Sequence, residues 1–379
     1  MKLTILGCYS ATPRALTNTT SQVLEINNNM FLIDCGEGTQ VQLRKHKIKF
    51  NRIKHIFISH LHGDHFFGLA GLISTFRLLT READLHIYGP KGIKEVITLQ
   101  MKLADSWTNY KLIFHELVSE NSELIYEDDD VEVHTIPLTH RIYTNGFLFK
   151  EKEGERKLDV DAAEESHIDV AYYRKLKQGF DVENEEGEII KNESVTFSPQ
   201  KPKSYAFCSD TAYNESIVSI IKEVDVLYHE STFLEKHESL AEPTKHSTAK
   251  QAANIAKLAN VGALILGHYS TRYDDLNDFK LEAQTVFDNV HLAEDGKYFE
   301  FIDTVKVVGT QISYTHFDEA AYTTEAKNLH YKIKGWSPID LWKEIGNMNM
   351  KWYIIAFLLS LISNYSRAIR WQTIIEPMG

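Results

Sequence analysis

The seven residues Ser59-His60-Leu61-His62-Gly63-Asp64-His65 constrain this chain more than any other stretch. They follow the apolar, strand-like run Ile53-Lys54-His55-Ile56-Phe57-Ile58 and place three histidines and one aspartate within six positions. A helix would scatter such side chains around its axis. A tight loop at a strand end can converge them on a small volume, with Gly63 permitting the turn. Neutral imidazole and carboxylate are good zinc ligands, so the segment is expected to hold divalent metal, His60 and His62 sharing one ion while Asp64 and His65 point to a second. The competing reading is a polar loop in which the histidines have no joint role.

One loop cannot complete two metal sites, and further donors stand after other strand-like runs. His140 follows Val131–Thr139, Asp210 follows Tyr205–Ser209, and His268 follows Ala263–Gly267. Each alone would be an ordinary surface or hydrogen-bonded residue. With the loop they supply the seven ligands a two-metal site needs, and Asp210, a carboxylate, can bridge two ions. Asp34 ends another strand-like run and is expected to brace the metal loop from behind. His46, His55, His86, His115, His134, His167, His237, His291, His316 and His330 lack such context and are taken as surface or packing residues, while His229, beside Glu230, could belong to the site or merely cap a strand.

Short apolar runs, many β-branched, alternate with helix-like stretches over 1–150 and 201–305, the pattern of an α/β layer protein. The runs include Met30–Ile33, Ile53–Ser59, Val131–Leu138, Tyr205–Cys208, Val224–Tyr228 and Ala263–Leu266; a helix is expected over Thr248–Leu258, capped by Ser247. Between these regions, residues 151–203 open with Glu151-Lys152-Glu153-Gly154-Glu155-Arg156-Lys157 and stay poor in apolar residues. Such a composition predicts a protruding arm or mobile insertion with little buried surface, against a plain solvated linker. Within it, Tyr172-Tyr173-Arg174-Lys175-Leu176-Lys177 mixes aromatic and basic side chains.

A formal net charge of −12 argues against non-specific coating of nucleic acid, so any contact with an anionic polymer must be local or metal-assisted. Three widely spaced cysteines, Cys8, Cys35 and Cys208, form neither a disulfide framework nor a thiolate zinc site and fit a reducing, cytosolic setting. The opening Met1–Gly7 is too short for a secretory signal and is expected to be a first strand. The last region, 306–379, carries the run Trp352–Ile362, shorter than the roughly 20 residues that cross a bilayer.

The order His-x-His-x-Asp-His followed by isolated His, Asp and His is the signature of the metallo-β-lactamase superfamily, and four further motifs resemble its ribonuclease Z family. These are Asp34-Cys35-Gly36-Glu37-Gly38-Thr39-Gln40, Tyr228-His229-Glu230-Ser231-Thr232, Lys245-His246-Ser247-Thr248-Ala249 and Gly267-His268-Tyr269-Ser270-Thr271-Arg272-Tyr273. The resemblance runs in order over roughly 1–305. It implies an αββα sandwich over 1–305 with an arm insertion at 151–203, two Zn2+ ions, and the ligands His60, His62, Asp64, His65, His140, Asp210 and His268. It further implies that Asp64, Glu230 and His246 are catalytic, that the substrate is precursor tRNA, whose elbow the arm would grip, and that the enzyme is a cytoplasmic homodimer. The Gly-Pro the family often carries in the arm is absent near Tyr172–Gly179.

In that reading the enzyme cuts the 3′ trailer from tRNA precursors, leaving a 3′-hydroxyl on the tRNA and a 5′-phosphate on the trailer. Asp64 would orient the attacking water and His246, held by Glu230, would protonate the departing oxygen. The alternatives are another hydrolase on the same fold, such as a small phosphodiesterase, thioesterase or lactonase, and a membrane-associated binding module. The tail 306–379 weakly resembles the start of the lysylphosphatidylglycerol synthase and flippase-like membrane proteins, notably at Arg367-Ala368-Ile369-Arg370-Trp371. It is expected to be helical, either membrane-associated or a truncated fusion, with no function of its own in the membrane.

Overall fold

The structure, a computed structural model, describes residues 1–301 and the strand 305–310. In chain order the strands are β1 Lys2–Gly7, β2 Ser21–Ile26, β3 Asn29–Ile33, β4 Ile53–Phe57, β5 Leu85–Pro90, β6 Leu112–Leu117, β7 Leu124–Glu127, β8 Val131–Pro137 and β9 Asn145–Glu151. Four two-residue strands follow, β10 Lys157–Leu158, β11 Val182–Glu183, β12 Ile189–Ile190 and β13 Thr196–Phe197. The chain then forms β14 Ser204–Cys208, β15 Val226–Glu230, β16 Ala263–Gly267, β17 Val290–Leu292, β18 Lys297–Phe301 and β19 Val305–Thr310.

Two sheets result, one in the order β19-β18-β1-β2-β3-β4-β5-β6 and the other β17-β16-β15-β14-β9-β8-β7. Alternation along a strand sends successive side chains to opposite faces. In β3, Phe31 and Ile33 enter a core shared with Phe147, Phe149 and Phe207 of the second sheet, whereas Met30 and Leu32 pack against Leu69, Leu72 and Phe76 of the helix Gly68–Leu78. At β3 both faces of the sheet are therefore dry, which is why Met30–Ile33 is continuously apolar in the sequence. On the second sheet the helix Ala249–Leu258 buries Ala252, Ala253, Ile255 and Ala256. Helix, sheet, sheet and helix make the αββα sandwich.

Two local expectations shift. The helix after residue 247 is capped by Thr248, whose side chain accepts from the Gln251 amide while Gln251 answers in a capping box. Ser247 is not the cap, because its hydroxyl is spent on the Thr211 carbonyl at 2.7 Å. The strand expected at Val224–Tyr228 lies at Val226–Glu230, since Asp225 is engaged in accepting from the Ser204 amide and hydroxyl at 2.8 and 2.9 Å. That slide puts Glu230 at the strand's C-terminal end.

The charged insertion departs most from its composition. Leu158, Ala163, Ile168, Leu176, Val182 and Val195 form a small core of their own. Buried Asn192 ties this core together, donating to the Leu176 carbonyl and accepting from Thr196. The apolar residues are sparse but converge, so the segment is an ordered module rather than a mobile linker. Its two ends meet where the Glu151 amide donates to the Lys203 carbonyl at 2.8 Å, and β9 and β14 pair directly behind them. The insertion thus leaves and re-enters the sheet at one point.

The expected tail, with its apolar run Trp352–Ile362 and its membrane-protein resemblance, lies from residue 311 onward outside the described residues. Among those described, no helix is long and apolar enough to cross a membrane.

Candidate metal centre and catalytic pair

Strands β14, β15 and β16 run parallel, with Cys208 beside His229 and His229 beside Leu266. Their C-terminal ends therefore stop at one level and deliver Asp210, Glu230 and His268 to one rim, where open α/β sheets place their sites. From the facing sheet β4 leads into His60 and His62, while β8, in the same sheet as β14–β16, leads into His140. Asp64 and His65 are not on the tight loop expected for the whole segment but on one helical turn, Gly63–Phe66, against which the next helix starts. Gly63 serves close approach rather than a left-handed turn, because a Cβ there would meet the Phe67 ring at 2.4 Å.

The structure brings all seven expected ligands together. His60, His62, His140 and Asp210 form one group within metal-binding reach; Asp64, His65 and His268 form a second; Asp210 also groups with His246 and His268. Asp210 faces both sides, with Oδ2 3.5 Å from His60 Nε2 and Oδ1 3.0 Å from His268 Nε2.

In four of these imidazoles the inner nitrogen is occupied elsewhere, which turns Nε2 toward the centre. His65 Nδ1 donates to Asp34 at 2.7 Å, and His140 Nδ1 donates to the Lys245 carbonyl at 3.0 Å. The Ser59 hydroxyl gives its proton to Asp34 at 2.9 Å and so accepts from His60 Nδ1 at 3.0 Å. Thr232 likewise donates to Glu230 at 2.7 Å and accepts from His268 Nδ1 at 3.0 Å. Asp34 and His268 hold left-handed backbone angles, φ 55° and 58°, that cost a non-glycine residue roughly 1–3 kcal/mol each. These hydrogen bonds hold them there. Thr232 and Ser59 lie within the motifs Tyr228–Thr232 and Ser59–His65, but no sequence signal marks a hydroxyl that links a carboxylate to an imidazole.

The donor set fits a cation on grounds internal to the structure. His62 Nδ1 lies 3.0 Å from His60 Nε2 and 3.2 Å from His140 Nε2, and His65 Nε2 lies 3.3 Å from His268 Nε2. Three lone-pair-bearing nitrogens converging on one point cannot all be satisfied by one proton. Burial opposes ionisation of Asp64, yet His65 and His268 hold its carboxyl well below the usual range. Burial likewise opposes charge on His268, but Asp210 overrides it and pulls the imidazole up to about 10. His140, with weaker carboxylate contact, is pushed down to about 4 by burial. The field at the centre is negative and asks for positive charge.

Beside this centre, Glu230, wholly buried, accepts from His246 Nδ1 at 2.8 Å. Glu230 is itself fixed by the Thr211 amide at 2.8 Å and the Thr232 amide at 3.1 Å. Burial disfavours charge on His246, but Glu230 outweighs it and raises its affinity for a proton. Its ring stacks 5.4 Å from His268, and it lines, with Asp64, Asp210 and His268, a cavity of about 510 Å³. His229 is excluded: it is buried inside β15 and its Nδ1 turns to the Glu230 carbonyl at 2.8 Å.

A curated ribonuclease Z of Bacteroides fragilis is 46% identical over 294 residues, covering 78% of this chain and 97% of that protein. The chain belongs to the ribonuclease Z family. It is thus an enzyme of the hydrolase class, and the metallo-β-lactamase fold of that family matches the sandwich described above. The solved human tRNase Z, short form, superposes with a TM-score of 0.58 at 28% identity, covering 79% of this chain and 99% of the human chain. The metallo-β-lactamase fold protein YhfI of Bacillus subtilis, at 18% identity, TM-score 0.56 and coverage of 78% and 97%, shares the fold. A family model described as anti-Pycsar protein Apyc1 matches residues 1–155, the part that holds the His60–His65 segment and His140. Divalent metal binding follows from the family and from the His and Asp clusters.

Proposed function

We propose that this protein is a zinc-dependent endoribonuclease that removes the 3′ trailer from tRNA precursors, leaving a 3′-hydroxyl on the tRNA and a 5′-phosphate on the trailer. The observation that carries it is that His246, held by Glu230 at 2.8 Å, lines the same cavity as His62, Asp64, Asp210 and His268 of the candidate metal cluster. Cleaving a phosphodiester to a poor alkoxide leaving group needs both.

In this reading His60, His62, His140 and Asp210 would hold one Zn2+, and Asp64, His65 and His268, with Asp210, would hold the other. When bound, the two ions supply charge neutralisation at the phosphate and acidify water toward a pKa of about 7. Asp64 orients the attacking water within the cavity, its Oδ2 anchored by the Ala11 amide at 2.7 Å. As the water oxygen bonds to phosphorus and the bond to the 3′ oxygen breaks, His246 passes its proton to that oxygen. Glu230 keeps the imidazole in the useful tautomer and stabilises the charged form that delivers the proton.

The same reading takes the sandwich as the nuclease domain, which extends past the expected boundary at 305 because β19 Val305–Thr310 pairs with β18, with 151–203 as its tRNA-gripping arm and the residues beyond as an appended tail. It takes the working unit as a homodimer in the cytoplasm, a setting the free thiols of Cys8, Cys35 and Cys208 fit. Metal analysis combined with cleavage mapping on a 3′-extended tRNA tests it. Two equivalents of zinc and one cut after the tRNA body are expected. No cut there, with turnover of a thioester or small phosphodiester instead, would replace it by the alternative hydrolase.

A further inference from the structure

The site cavity has one apolar wall that none of the chemistry above uses. Phe67 is 59% exposed, and among the described residues it alone of the exposed large apolar side chains lines this cavity. Its neighbour Phe66 is 5% exposed in the core beneath the helical layer. Leaving a phenyl ring in water at a site mouth sacrifices burial that the adjacent position achieves.

The ring is not loose. It lies on the backbone of Gly63, so closely that a Cβ there would come within 2.4 Å of its Cε2, and Phe66 braces it at 5.0 Å between centroids. Gly63 immediately precedes Asp64, so the ring's position is tied to the helical turn that carries Asp64 and His65. Arg141, which makes no ion pair among the described residues, lines the same cavity. An exposed aromatic ring and a guanidinium without an ion pair on one cavity are the two kinds of group a nucleotide subsite needs. Bases stack on such faces with little regard to sequence, and the cation meets the backbone.

We propose that Phe67 is the stacking platform for a nucleobase next to the scissile phosphate, and so a residue that positions the strand for cleavage. This rests on the ribonuclease reading above. The ring takes no part in bond making. It lowers the freedom of one nucleotide, so that the phosphodiester meets Asp64 and His246 in register.

The test is a double-mutant cycle on kcat/KM. Wild type, Phe67→Ala and Phe67→Trp are assayed on a 3′-extended tRNA, and on the same RNA with an abasic ribose at the last position of the tRNA body or the first of the trailer. Phe67→Ala should lose roughly 5- to 150-fold on intact RNA, the range of one base on an aromatic face. At one of the two abasic substrates the variant should lose almost nothing further, and Phe67→Trp should recover most of the activity on intact RNA. Equal losses on intact and both abasic substrates would make Phe67 merely structural and overturn the proposal, as would no loss at all. Metal content of Phe67→Ala, compared with wild type, separates a disturbed Asp64 turn from a lost platform. A wild-type enzyme inert on every precursor overturns the ribonuclease reading along with the platform. Cleavage by wild type with no coupling at either abasic position overturns the platform alone.

Discussion

Asp34 is the residue whose replacement tests most directly how the cluster is held. Its side chain is wholly buried; Oδ1 accepts from the Ser59 amide at 2.7 Å, and Oδ2 accepts from the Ser59 hydroxyl at 2.9 Å and from His65 Nδ1 at 2.7 Å. Asparagine keeps the shape and tolerates φ 55° better than most residues. With the amide oxygen kept on the Ser59 amide, the NH2 group faces two groups that were donating. Ser59 can turn its hydroxyl, but His65 can relieve the clash only by moving its proton to Nε2, the atom that faces the metal centre. Two charge-assisted bonds at about 1.5–3 kcal/mol each are at stake, partly recovered by Ser59, so Asp34→Asn should destabilise the apo protein by about 2–4 kcal/mol. Loss of the correct His65 tautomer should weaken zinc by roughly 10- to 100-fold. Urea unfolding in chelator and calorimetric zinc titration measure the two effects separately. Stability within about 0.5 kcal/mol of wild type together with unchanged zinc affinity would refute the bracing role.

His246→Asn should lower kcat on a tRNA precursor by about 10²- to 10⁴-fold with zinc content unchanged if, as proposed, the imidazole delivers the proton to the leaving oxygen; stopped-flow turnover and metal analysis check it. Replacing the arm by a short turn should cost activity on tRNA while sparing a bis-aryl phosphate, and Lys175→Ala with Lys177→Ala should flatten the salt dependence of RNA binding; equal losses on both substrates would mean the arm has no recognition role. Stability should also fall between pH 6.5 and 4 through His55, whose pKa burial, helped by neighbouring His86 and His115 and by Lys54 against Asp128, lowers to about 4. There the unfolded chain binds a proton the folded one refuses, so stability rises with pH by about 3 kcal/mol across that window. His55→Phe should remove most of that slope, which denaturant unfolding at successive pH values would show.

Most of the candidate donor set was legible from the chain alone because five of its members stand shortly after an apolar strand, and strand ends are marked by composition. His60, His62, His140, Asp210 and His268 could be named without coordinates for that reason. So could the layered α/β class, since two-faced burial writes continuous apolar runs. Tertiary structure decided what depends on pairing. Nothing local in the sequence says that β14, β15 and β16 are parallel and in register, yet that register brings Asp210, Glu230 and His268 to one rim. Ser59 and Thr232 acquire their roles only when a hydroxyl's single proton is claimed by one partner, leaving its oxygen to another. The arm looked uncommitted because its six core residues lie far apart in a charged stretch. Composition averages over distance along the chain, whereas a core needs only proximity in space.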